Sequence, residues 1–313
     1  MRSGLLWTIL AVAGIEFALS RTLPDHYFRH EVDELLREVD TRRFTARNLS
    51  LGNSVGRQLD RGIDKLEPGF LEPMSSNGSL ETTGQYLILR RYLERNPQPR
   101  NLILWMDNPF AGSLHLIYTE NYIQRCFLRW REIGLLAWWK GSPTFAANMV
   151  AYKLLPSYRY RMELQEELPF LEVMKVMGDL QNAARARTGL GVRESVWTRH
   201  WQDYTRDGQS ISSVALERML ALCQARGIHV YLIPTPMRER EATRRDRRGG
   251  RTEINQRLAA LADRYDVLHY LPDQPVFPND MFPDTAHFAP HLVPIRAREY
   301  LDLLKEWMTD DAG

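Results

Sequence analysis

Short apolar runs alternate with stretches of helical period along most of this chain, and that alternation constrains its fold more than any other feature. "FTARNLSL" reads as a first strand that ends at Gly52-Asn53-Ser54, and "VGRQLDRGIDKL" as a helix with Val55, Leu59 and Ile63 on one face. "FLEPMSSNGS" supplies a second short strand and a glycine turn, followed by the helix "LETTGQYLILRRYLERN", which Pro97 and Pro99 stop. "NLILWMDNPF" is a third strand, apolar without interruption as strands buried on both faces are. The rhythm resumes with the helix "SISSVALERMLALCQARG", the strand "IHVYLIPTP", the helix "TEINQRLAALADRY", the strand "DVLHYL" and a last helix, "LVPIRAREYLDLLKEWM". Strands and helices in turn predict an α/β fold of three layers, with a central, mainly parallel sheet covered on both faces.

Residues 111–210 interrupt this pattern. "YIQRCFLRWREIGLLAWWKG", "TFAANMVAYKLL" and "YRMELQEELPFLEVMKVM" have helical character and are rich in Trp, Tyr and Met. The stretch is too long for a simple crossover, so a helical insertion is expected there. Trp130, Trp138 and Trp139 would pack within it, stack on sugar rings or rest at a membrane interface. A chain of 313 residues has room for one core with such an insertion. Upstream, "DHYFRHEVDELLREVDTRR" (25–43) reads as a surface helix leading into the domain.

The N-terminus points out of the cytoplasm. Met1-Arg2 precedes an apolar stretch from Leu5 to Leu19, interrupted only by Thr8, Gly14 and Glu16. That arrangement predicts an export segment over residues 1–22, retained as a signal-anchor or cleaved as a signal peptide. It is short for a stable membrane span, and Glu16 would sit near the outer interface of an anchor. The expected location is the inner membrane facing the periplasm, or the periplasm or exterior after cleavage, with residues 23–313 as the folded domain. The net charge of +2 is too small to imply nucleic acid. Cys126 and Cys223 lie far apart without metal-type spacing and read as buried thiols. Residues 237–251, "MREREATRRDRRGGR", carry seven arginines; a solvated, mobile loop is the first expectation, attraction of an anionic polymer or lipid the second.

In parallel sheets the reactive groups gather at the carboxyl ends of the strands. Ser54, Gly78, Asn108 and the segment after "DVLHYL" all fall at such ends. Ser54 taken alone reads as a helix N-cap. A serine nucleophile needs a base within hydrogen-bond reach, and "FPDTAHFAPH" offers one: Asp284 and His287 stand three residues apart in a proline-bounded loop before the last helix. The Asp284 carboxylate would hold one ring nitrogen while the other faces Ser54. The backbone N–H groups of Ser54 and Gly78 and the side-chain amide of Asn108 would converge on the developing oxyanion. His291 extends the motif toward a metal trio, but Pro290 disturbs the spacing and no further ligand cluster is evident, so no metal and no cofactor are expected.

This order of blocks resembles the SGNH (GDSL-like) hydrolase superfamily, over most of residues 44–308 apart from the insertion. The resemblance implies Ser54 as nucleophile, His287 as base, Asp284 as its orienting partner, and Ser54, Gly78 and Asn108 as the oxyanion hole. Three blocks depart from the family pattern. Gly-Asp-Ser appears as Gly52-Asn53-Ser54, the third block as Met106-Asp107-Asn108-Pro109, and the proline after the histidine is Phe288. Gly84 competes with Gly78 for the second block. With the export segment and the aromatic insertion, the chain looks most like the membrane-anchored SGNH-like proteins of bacterial envelope polymer modification, as in alginate O-acetylation and teichoic-acid D-alanylation. That likeness implies acyl, chiefly acetyl, transfer to or removal from an envelope or extracellular polysaccharide. A membrane acyl-donor protein is a candidate partner. A catalytically inactive, membrane-tethered scaffold of the same fold is the competing expectation.

Overall fold

The computed structural model describes residues 7, 10–11, 13–18, 21, 31–76, 80–110, 119–160, 210–246, 250–284 and 286–310. By their contacts the residues form two compact units, one of Glu34–Leu114 with Gln209–Gly313, the other of Met1–Asp33 with His115–Gly208.

The strands of the first unit are, in chain order, β1 (Asn48–Gly52), β2 (Glu72–Pro73), β3 (Asn101–Trp105), β4 (His229–Ile233), β5 (Met237–Arg238), β6 (Leu268–Tyr270) and β7 (Val276–Phe277). Five of them build a parallel sheet in the order β2-β1-β3-β4-β6, and β5 pairs with β7 separately. Every residue of β1 and β3 is buried, the mark of strands covered on both faces. The second strand is shorter than its apolar run suggests: only Glu72 and Pro73 pair with β1. Pro73 has no N–H to donate, which suits it to this edge position. The chain winds from β1 out to the edge at β2, then returns across to β3. Winding therefore reverses between β1 and β3, where sheets of this type open a crevice at their carboxyl ends. Gly52 sits opposite Trp105, and Trp105 opposite Ile233, so the ends of β1, β3 and β4 are level.

Helices α1 (Glu31–Thr41, which belongs here from Glu34 on), α2 (Ser54–Leu66), α3 (Glu81–Arg95), α4 (Ile211–Arg226), α5 (Glu239–Asp246), α6 (Gly250–Ala262) and α7 (Val293–Asp310) complete this part of the chain. On one face α2 and α7 pack over Ile103, Trp105, Tyr231 and Ile233, joined by Leu59, Ile63, Phe288, Tyr300, Leu301 and Leu304 in one buried cluster. Two glycines permit the close approach. A Cβ on Gly62 would meet the Ala297 Cβ at 2.5 Å, and one on Gly56 would meet the Trp105 Cβ at 2.5 Å. The alternate residues Leu102, Leu104, Val230 and Leu232 face the other side, where α3 and α4 pack together.

Residues 237–251 differ from the mobile loop first expected. Their described part is β5, the helix α5 and the start of α6, and several arginines there find carboxylates. Arg245 reaches Asp107, Arg251 holds Asp246 with two nitrogens, and Arg244 pairs with Glu241. Residues 247–249 lie outside the described residues.

In the second unit a π-helical turn (Thr119–Gln124) precedes helices Trp130–Lys140, Pro143–Leu154 and Pro156–Arg159. The long run "YIQRCFLRWREIGLLAWWKG" is thus not one helix. It restarts at Trp130, where the Glu132 carboxylate accepts the Arg129 N–H at 3.0 Å. Trp139 is buried, whereas Trp130 and Trp138 are exposed. The helix expected over residues 160–177 lies almost wholly outside the described residues. Residues 13–18 are helical, and the Glu16 carboxylate accepts the Ser157 N–H at 3.1 Å as well as its hydroxyl. Among the described residues no helix is long and apolar enough to cross a membrane. Cys126 and Cys223 are both buried, and burial pushes the Cys223 thiol up to about 12.

Candidate active site

The abrupt end of β1 is built to present Ser54. Asn53, not Ser54, caps α2: its backbone is extended (φ −86°, ψ −173°) and its Oδ1 accepts the N–H groups of Val55 and Gly56 at 3.1 and 3.0 Å. The Asn53 carbonyl accepts the Arg57 N–H at 2.9 Å. The Asn53 amide donates to Thr235 Oγ1 at 3.2 Å, and the Asn53 N–H to the Trp105 carbonyl at 3.2 Å. With the cap supplied by its neighbour, the Ser54 hydroxyl is released from that task. Its N–H has no acceptor among the described residues and stands at the positive end of a helix of 13 residues.

Beneath the turn, Gln85 is almost fully buried and donates to the Gly52 carbonyl at 2.9 Å. A Cβ on Gly52 would meet the Trp105 Cβ at 2.5 Å and the Trp105 carbonyl at 2.8 Å, so glycine alone lets the strand end against β3.

His287 stands opposite. Its Nε2 lies 2.8 Å from Ser54 Oγ and its Nδ1 2.8 Å from Asp284 Oδ2. The other Asp284 oxygen accepts the N–H groups of Ala286 and His287 at 2.8 and 2.7 Å. What burial there is works to raise the Asp284 pKa. The N–H groups of His287 and Ala286 and the His287 ring outweigh it and bring the carboxyl down to about 2. Asp284 is therefore an anion at neutral pH, fit to hold the Nδ1–H tautomer. Both ring nitrogens are engaged, one by Ser54 and one by Asp284. His291 is exposed, and among the described residues no set of three His, Cys, Asp or Glu side chains is placed to hold an ion.

The loop that carries His287 is fastened to α2. The Phe288 N–H donates to Gln58 Oε1 at 3.1 Å, and Gln58 Nε2 reaches back to the Phe288 carbonyl at 3.4 Å. Gln58 is one helical turn beyond Ser54, so a single helix positions the nucleophile and clamps the base. Phe288 anchors the loop in the core, stacked on Phe282 at 5.0 Å and edge-on to Phe277 at 5.5 Å.

Of the residues expected from sequence, Ser54, Asp284 and His287 come together. Asn108 lies just past the end of β3, half-buried, with its Oδ1 accepting the Phe110 N–H at 3.0 Å. That bond occupies the oxygen and leaves the NH2 without a partner among the described residues. Gly78 lies outside the described residues. Its competitor Gly84 is buried within α3, away from a strand end. Gln58, Gln85 and Thr235 were not expected. Only Gln58 carried a sequence signal, its four-residue spacing from Ser54.

A buried polar group lies on the inner face of the same helix. Asp60 is fully buried; its Oδ1 accepts from Ser50 Oγ at 2.7 Å and Trp105 Nε1 at 2.8 Å. Burial pushes this carboxyl up to about 6, against the lowering effect of donors from Ser75, Ser50 and Trp105. No protein-family model matches the chain, and no curated protein matches it.

Proposed function

We propose that this chain is an SGNH-type serine esterase or O-acyltransferase that acts on acyl, chiefly acetyl, esters of a cell-envelope or extracellular polysaccharide. The observation that carries the reading is the unbroken chain of hydrogen bonds Asp284–His287–Ser54 at the strand ends. As Ser54 Oγ attacks an ester carbonyl, its proton passes to His287 Nε2, and the Asp284 anion stabilises the imidazolium. Negative charge on the carbonyl oxygen is met by the Ser54 N–H, with the Asn108 amide and the Gly78 N–H as the further expected donors. The tetrahedral intermediate collapses, the leaving alkoxide takes the proton from His287, and the acyl group stays on Ser54. His287 then deprotonates a water or a sugar hydroxyl, which takes the acyl group and frees Ser54. The apolar N-terminal segment supports an exported enzyme held at or released from the inner membrane.

Turnover of p-nitrophenyl acetate by the wild-type chain and by Ser54→Ala tests the nucleophile. The variant is expected to lose roughly a thousandfold or more in kcat/KM, and undiminished turnover would overturn the reading. Covalent labelling of Ser54 by a fluorophosphonate separates an enzyme from an inactive scaffold. Acetyl transfer to an oligosaccharide, measured against release to water, separates transferase from esterase.

A further inference from the structure

Past the carboxyl ends of β3, β4 and β6 lies a crevice of about 220 Å³ that the triad does not use. Asp107, Asp246, Arg251, Asn255, Asp273 and Gln274 give it a polar wall, with Pro234 and Pro272 as apolar flanks. Gln274 is the best-built of these: it is 8% exposed and its Nε2 donates to the Thr235 carbonyl at 2.8 Å. Its Oε1 has no partner among the described residues. Asn255 is likewise fixed at one end, its Nδ2 donating to the Pro272 carbonyl at 2.6 Å.

The chemistry of this wall excludes most ligand classes. Three carboxylates in the wall, against Arg251 in the wall and Arg245 on Asp107, leave a net negative charge that disfavours an anion. A cation gains little, because Arg245 and Arg251 already neutralise Asp107 and Asp246. The wall's apolar residues, Pro234, Ile254 and Pro272, are interleaved with carboxylates, whose desolvation an acyl chain would not offset. Carboxylate oxygens, amide oxygens and a guanidinium together match vicinal hydroxyl groups, which donate and accept at once. The crevice is also tied to the nucleophile. Thr235 accepts the Asn53 amide on its hydroxyl and the Gln274 amide on its carbonyl, linking the cap of α2 to the crevice floor. Parallel strands lie about 4.8 Å apart, so a site over β4 and β6 stands roughly 10–15 Å along the sheet from Ser54, which follows β1.

The geometry points to this crevice as a subsite for an uncharged sugar unit of the acceptor, a short way along the polymer from the unit that reacts at Ser54. Its role in transfer rests on the proposed function; its binding of sugar does not. The site around His287 is open, with 36% of that side chain exposed. Water reaches it freely, and an acceptor held nearby is what favours transfer over hydrolysis.

The test uses the full chain carrying Ser54→Ala, to prevent turnover, on an array of neutral and uronate-containing oligosaccharides, with titration calorimetry on the glycans retained. Neutral oligosaccharides are expected to bind, and Asn255→Ala and Gln274→Ala, added singly, to raise Kd about tenfold or more. Thermal melts show that each variant is folded. No neutral glycan retained, preference for uronates, or affinity unchanged in both folded variants overturns the subsite. The two readings fail separately. Turnover of p-nitrophenyl acetate by the Ser54-intact chain without glycan binding sinks the subsite alone, whereas glycan binding without turnover upholds it and sinks the esterase.

Discussion

Asp284 and Asp60 are carboxyls whose environments push them in opposite directions. Asp284 is held near 2, below the ordinary value of about 4. Its contribution to stability is therefore present above about pH 4 and is lost as pH falls toward 2. Melts of wild type and Asp284→Asn from pH 5 down to pH 2 should show a Tm gap that closes over that window. Asp60 behaves in reverse. Raised to about 6, it binds its proton more tightly in the folded chain than in the unfolded one, so its effect on stability worsens as pH rises from about 4 to 6. In Asp60→Asn, which keeps an oxygen for Ser50 and Trp105, the fall in Tm across that interval should be smaller than in wild type. An equal fall in both would remove Asp60 as its source.

At the scale of elements, α2 carries the site. It begins at Ser54, is capped by Asn53, clamps the His287 loop through Gln58, and lies against Trp105 through Gly56. Gly56→Ala drives a methyl group into the Trp105 side chain and should cost about 1–3 kcal/mol. Urea melts measure it, and a loss below the error of the fit would show that α2 shifts without strain. Gln58→Ala removes both bonds to Phe288 and touches no reacting atom. It is expected to lower kcat roughly tenfold with little change in KM, because the imidazole then samples positions away from Ser54.

Across the whole molecule, the buried cysteines give a direct check on the packing. Neither Cys126 nor Cys223 is expected to react with a thiol reagent in the native state, and both should react in denaturant; fast native labelling would contradict their burial. Most of the layered architecture was legible from local pattern. The uninterrupted apolar run of β3, the helical face of Val55, Leu59 and Ile63, and the proline stops after α3 are all decided between near neighbours. Chain order also brought Ser54 and the Asp284–His287 pair to strand ends, where parallel sheets collect their chemistry. What periodicity does not encode is contact between residues far apart in sequence. The Ser54–His287 bond spans 233 positions, the Gln58 clamp 230, and the Asn53–Thr235 bond 182. Only the folded chain made Asn53 the cap in place of Ser54, turned the expected arginine loop into helices paired with carboxylates, and set Asp60 beneath Trp105. Local sequence selected the elements, and long-range packing selected which side chains meet, since each such meeting requires the core to form first.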